Sequence, residues 1–118
     1  MTRRLLRRHR LADKDIIDAI DFYNDALAYQ ASTRFLDAIE KALRFILAFP
    51  KAGSSRLGEM VGLKQFKTWP LTKFPFLVVY VVENEEIDVV RLIHQKRDFS
   101  EPLQTESRSY EQASSGSG

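Results

Sequence analysis

From residue 12 onward, Ile16, Ile17, Ile20, Tyr23 and Leu27, with Asn24 among them, recur every three or four positions, the period that gathers side chains on one helix face. Asp13, Asp15, Asp18 and Asp21 fall between them, forming a solvated face or lying near the positive end of the helix dipole. A second stripe of Phe35, Leu36, Ile39, Ala42, Leu43, Ile46 and Leu47 predicts a second helix, capped by Ser32 or Thr33 and stopped by Pro50 and Gly53. Two striped helices joined by a few residues pack antiparallel as a hairpin, and their shared apolar surface needs a further layer.

The rest of the chain reads as that layer. Leu5 and Leu6 among arginines suggest a short strand over residues 3–9. After a polar loop at 51–59, a strand over 63–69 is broken by Pro70 and Pro75, which cannot donate to a central ladder. The β-branched run 76–82, the polar turn at 83–86 and the run 87–94 make a hairpin. The expected fold class is α+β: an N-terminal strand, a two-helix hairpin, then a three-stranded antiparallel sheet, in the order β-α-α-β-β-β. The helices would cover one face and leave the other open. Phe35, Phe49, Phe74, Phe76 and Tyr80 are expected in the core, residues 1–103 in one domain, and the Ser/Gly-ending stretch 104–118 in a flexible polar tail.

Composition narrows the chemistry. The 118 residues are 44% hydrophobic, enough for one core without staples, and the cysteine count of zero excludes disulfides, thiol nucleophiles and Cys-ligated zinc. A reducing cytoplasm is the plain reading. No apolar run approaches membrane-spanning length, and the N-terminal segment is too rich in arginine to serve as a signal peptide, so no membrane association is expected. The net charge is only +2, but Arg3, Arg4, Arg7, Arg8 and Arg10 are clustered. Such a cluster is either a solvated strand face or a local field that attracts acidic proteins or nucleic acid. No Gly-rich phosphate loop, His/Asp metal cluster or Ser-centred elbow appears, so no cofactor or metal is implied.

The candidate interaction residues lie late in the chain. Lys64, Lys67 and Lys73 alternate with Phe66 and Trp69, a basic and aromatic mixture that contacts phosphates and stacks bases, and that also arises in any half-exposed strand. Arg91 is a lone charge in an apolar strand, so it must emerge on the uncovered face or pair with an acid; the open face is the expectation. His94 either closes its strand by hydrogen bonding, packs beside Trp69, or serves as an acid/base. Arg97 and Asp98 form a structural ion pair, or Arg97 grips a carboxylate or phosphate with its bidentate fork.

The segment 69–99, WPLTKFPFLVVYVVENEEIDVVRLIHQKRDF, resembles the C-terminal signature of ParE-type toxins: a Phe-Pro entry to a strand ending in Tyr80, a polar turn, and a strand closing in His94, Arg97 and Asp98. The Ala31/Phe35/Ile39 register, the Pro50 stop and the opening Gly62-Leu63-Lys64 are similar too, so the resemblance spans about residues 3–100. It implies two helices against a curved antiparallel sheet, and a type II toxin neutralised by a ParD-like antitoxin that wraps it. It also implies one of two targets, or else a non-toxic relative that retains only antitoxin binding. ParE-type members bind and poison DNA gyrase without catalysis, whereas RelE-type members cut mRNA on the ribosome with a basic cluster, an arginine opening the third strand and a C-terminal aromatic hydroxyl.

Lys64, Lys67, His94, Lys96 and Arg97 would supply part of a RelE-type cluster. The third strand, however, opens Phe76-Leu77, and Phe99 and Leu103 follow the closing motif where a tyrosine is needed. Metal-free cleavage must stabilise a pentavalent phosphate and move protons, so these departures favour gyrase binding over ribonuclease activity. Lys64, Lys67, Lys73, Arg91, His94, Lys96, Arg97 and Asp98 are then the expected contacts to target or antitoxin, with no catalytic residue.

Overall fold

A computed structural model describes residues 5–26 and 29–96. The elements are β1 (Leu5–Arg8), α1 (Arg10–Ala26), α2 (Tyr29–Ala48), a 3-10 turn (Pro50–Ala52), α3 (Arg56–Met60), β2 (Lys67–Pro70), β3 (Phe76–Glu83) and β4 (Glu86–His94). The strands form one sheet in the order β1-β4-β3-β2, antiparallel throughout except that β1 runs parallel to β4. A parallel pair cannot be joined by a tight turn, and here the intervening chain carries all the helices. The expected α+β order holds.

The periodicity of the helices is spent on one core. Ala12, Ile16, Ala19 and Tyr23 of α1 and Phe35, Ala38, Ile39, Ala42 and Ile46 of α2 recur at three- and four-residue steps and meet Val78, Tyr80, Ile87, Val89 and Leu92 of the sheet. The apolar stripe is narrower than the sequence suggested. Ile17 and Leu36, at 57% and 45% exposure, stand outside it. So does Phe49, which is 59% exposed and was expected in the core. It lies just past the end of α2, where Pro50 turns the chain, and its ring rests on Phe45, which stacks on Trp69 at 4.3 Å. Leu27, the last position of the first stripe, lies outside the described residues.

Other boundaries differ for local reasons. α2 already begins at Tyr29, so Ser32 is a buried residue inside the helix and neither it nor Thr33 is the N-cap. The segment expected as strand 63–69 pairs only from Lys67, and the residues before it form a turn following α3, a short helix in the predicted polar loop. Pro70 is tolerated because β2 is an edge strand.

The second face of the sheet is also covered. Phe66, Val79, Val81, Val90 and Ile93 form a separate buried cluster, with Leu57, Val61, Leu63 and Leu77 packed against it. α3 and the turn that follows it therefore shield a face that sequence reasoning left open. Tyr80, part of the helix-side core, ties the turn between α2 and α3 to the sheet. Its hydroxyl donates to the Pro50 carbonyl and accepts from Gly53 N–H, both at 2.9 Å, and burial pushes its phenol above the ordinary range while the Gly53 bond works against that. A side chain at residue 53 would place Cβ 2.1 Å from that hydroxyl, which is why glycine stands there.

Candidate interaction surface

The sheet register sorts the candidate residues into separate places. Lys67 opens β2 opposite Tyr80, and Tyr80 faces Val89, whereas His94 ends β4 opposite Phe76. Phe76 and Tyr80 are four residues apart, about 13 Å along the strand, and β2 and β4 are two strand spacings, about 10 Å, apart across the sheet. Lys67 is thus remote from His94. Lys64 is exposed in the turn before β2. Lys73 sits in the turn between β2 and β3 with a left-handed backbone, φ 69°. Gln95 N–H donates to the Pro75 carbonyl at 2.8 Å, which holds the chain after β4 beside that same turn. Lys73, His94 and Lys96 therefore share one end of the sheet, while Arg97 and Asp98 lie outside the described residues.

His94 does not pack on Trp69. Its ring lies edge-on to Phe76 at 5.2 Å, and its Nδ1 accepts from Lys96 N–H at 3.1 Å, so the ring closes its own strand. The strand-closing alternative is the one realised.

Arg91 lies opposite Val79, on the side of the sheet that carries the second cluster, but it pairs with an acid and does not stand open. A bulge in the β3–β4 ladder sets Val79 opposite Arg91 and Tyr80 opposite Val89, which leaves Val90 without an opposite residue and shifts the inward–outward alternation. β1 ends opposite Val89, so beyond that point no strand pairs with the outer edge of β4. Asp15 of α1 fills the place. It accepts from Arg91 Nε at 2.7 Å, Arg91 Nη2 at 3.0 Å and Leu92 N–H at 3.0 Å. The two side chains are 18% and 16% exposed, so this two-pronged pair is mostly shielded from water. Asp15 thus leaves the solvated helix face to which the sequence assigned it. An i, i+3 helix pattern carries no sign that one carboxylate will meet a strand edge 76 residues away.

Arg7 and Arg8 are likewise engaged. Arg7 donates to Glu86 at 2.8 Å and to Asp88 at 3.1 Å, and Arg8 pairs with Asp13 at 3.1 Å. The expected local positive field is therefore partly compensated: Arg10 is exposed and forms no ion pair among the described residues, and Arg3 and Arg4 lie outside them. Among the described residues there is no grouping of three or more potential metal ligands, and no helix is long and apolar enough to cross a membrane.

Two concave surfaces stand out among the described residues. One is an open apolar groove of about 400 Å³ between β1 and α2, lined by Leu6, Leu36, Ile39, Leu43 and Leu47 with Arg8, Glu40 and Arg44 at its rim. The other, of about 630 Å³, lies between α2 and the β2–β3 turn and includes Lys73. An apolar trough beside a sheet edge suits a partner's amphipathic helix or added strand.

A small sheet with a helix pair on one face and grooves at its margins defines an α+β domain, and solved structures share this architecture. One chain, from the chromosomal ParDE toxin–antitoxin system of P. aeruginosa, superposes with a TM-score of 0.67 over 78% of this chain and 96% of its own, at 20% sequence identity. The family model for the ParE toxin of the type II toxin–antitoxin system parDE matches residues 6–99, and the chain belongs to that family. No curated protein sequence matches it.

Proposed function

We propose that the chain is a toxin that acts by binding DNA gyrase, catalyses no reaction itself, and is held inactive by a ParD-like antitoxin. Family membership supports the toxin role. The observation that carries the mode of action is the spread of the cations. A ribonuclease site needs its acid/base groups and phosphate-binding charges gathered within a few ångströms of one phosphate. Lys67 and His94 are instead separated by about 13 Å along the strands and about 10 Å across them. At the third strand's opening, Phe76 packs against Tyr23, Phe35 and His94. The same spread suits a broad contact with a large protein, in which Lys64, Lys67, Lys73, His94, Lys96, Arg97 and Asp98 engage target or antitoxin. Arg91 acts in this reading through the edge it holds in shape.

The apolar groove beside β1 supports antitoxin capture, because an apolar helix laid along Leu36, Leu43 and Leu47 would cover side chains that are now exposed or half-buried. The test is to add the purified chain separately to a gyrase supercoiling reaction and to a translating ribosome system. Inhibition of supercoiling with intact mRNA is expected. Cleaved mRNA with supercoiling unaffected would replace this reading with the ribonuclease one.

A further inference from the structure

Arg34, Asp37, Ala38 and Lys41 recur at i, i+3, i+4 and i+7 along α2 and so share one side of the helix. Opposite them stand Thr72, Lys73 and Phe74 of the β2–β3 turn, and together they line the groove of about 630 Å³. Among the described residues, Arg34, Asp37, Lys41 and Lys73 form no ion pair and no side-chain hydrogen bond. Lys73 keeps a left-handed backbone that glycine would adopt without strain, and residues held in such conformations concentrate at binding sites. The groove's inner end is rigid. Phe74 packs edge-on against Tyr23 and Phe35, each at 5.3 Å, so the turn that presents Lys73 is anchored in the core.

We propose that this groove is a docking site for an extended acidic segment of a partner protein. Arg34 and Lys41 are two helical turns apart, roughly 10 Å. An extended peptide in the polyproline II conformation covers that span in about three residues and brings every third side chain back to the same side. Carboxylates three positions apart in the partner would therefore meet both cations, with Lys73 reaching the segment from the other wall. Asp37, between the two cations, would face the uncharged stretch between two carboxylates and accept a peptide N–H there, whereas a phosphodiester chain carries a negative charge at every nucleotide. Three cations also neutralise too few phosphates for strong nucleic-acid binding, which rests on many such contacts. This inference rests on the groove's charge and shape, not on the gyrase reading, so either can fail alone.

The test uses the full chain labelled with ¹⁵N and a capped acidic pentapeptide with glutamates at its first and fourth positions. The matching glutamine peptide, inorganic triphosphate and a short single-stranded oligonucleotide are run beside it. Amide shifts centred on residues 34–41 and 72–74 are expected with the acidic peptide alone, weakening as salt rises. Lys41→Glu should weaken binding by about tenfold or more, while Lys51→Glu, the same charge change outside the groove, should leave it within about twofold. Lys73→Gly separates fold from function, because removing the side chain relieves the backbone and deletes a contact. A higher melting temperature with weaker peptide binding is expected. Shifts scattered over the surface, equal losses in Lys41→Glu and Lys51→Glu, unchanged binding in Lys73→Gly, or preference for triphosphate or oligonucleotide would each overturn the proposal.

Discussion

At the β1/β4 edge, Arg7, Arg8 and Arg91 are each held by carboxylates of Glu86, Asp88, Asp13 or Asp15, whereas Arg34, Lys41 and Lys73 around the α2 groove form no ion pair among the described residues. Both regions are basic in sequence. At the edge the charges complete the sheet: Asp15 takes the place of a neighbouring strand on Leu92 N–H, and Arg7 answers the carboxylate of Asp88, whose side chain is 5% exposed. At the groove the charges complete nothing within the chain, and concave cations of that kind are suited to a partner. A cation's role is thus read from what it neutralises, not from its place in a basic run.

The sharpest way to break this contrast is Asp15→Ala, which strips the acceptor from Arg91 and Leu92 N–H together. A loss of about 2–3 kcal/mol in urea denaturation is expected, and Asp15→Ala with Arg91→Met should recover about half of it, because the uncompensated charge is gone. A loss under about 0.5 kcal/mol would mean that the edge does not depend on the pair. Arg7→Ala comes next. It leaves Asp88 nearly buried without that guanidinium, but Arg7 itself is half exposed and the bond is partly screened, so about 1 kcal/mol is expected by the same measurement. The smallest effect belongs to the groove: Lys41→Ala should change stability by less than about 0.5 kcal/mol in either direction. A cost there as large as that of Arg7→Ala would show that the groove cations are structural after all.

Much of the fold was legible because helices and buried strands write their burial locally. The Phe35/Ile39/Ala42/Ile46 spacing and the runs flanking the turn at 83–86 led to the right elements in the right order. Phe49 misled because hydrophobicity marks what can be buried, not whether the chain still points inward past a proline. The cover on the second face was missed because Leu57, Val61 and Leu63 make one helical step and then one strand step in a polar segment, too short a run to mark either element. Of the candidate site, Lys73 and Lys96 are exposed as read, His94 closes its strand as one alternative held, and Arg91 took the acid partner that the same reasoning had named as its other outcome. Arg34 and Lys41 were not singled out. Their helical spacing was visible, but the turn that makes a groove of them is more than 30 residues away along the chain.

By itself, then, the sequence determined the two long helices, the β3–β4 hairpin, the family and the exclusion of thiol chemistry, since each depends on neighbours along the chain or on composition. Only the tertiary structure decided that β1 lies parallel beside β4, that a bulge turns Arg91 to Asp15, and which basic residues are left facing a groove. These outcomes join residues distant in sequence, and whether a charge is compensated is fixed by the groups that folding brings within a few ångströms of it.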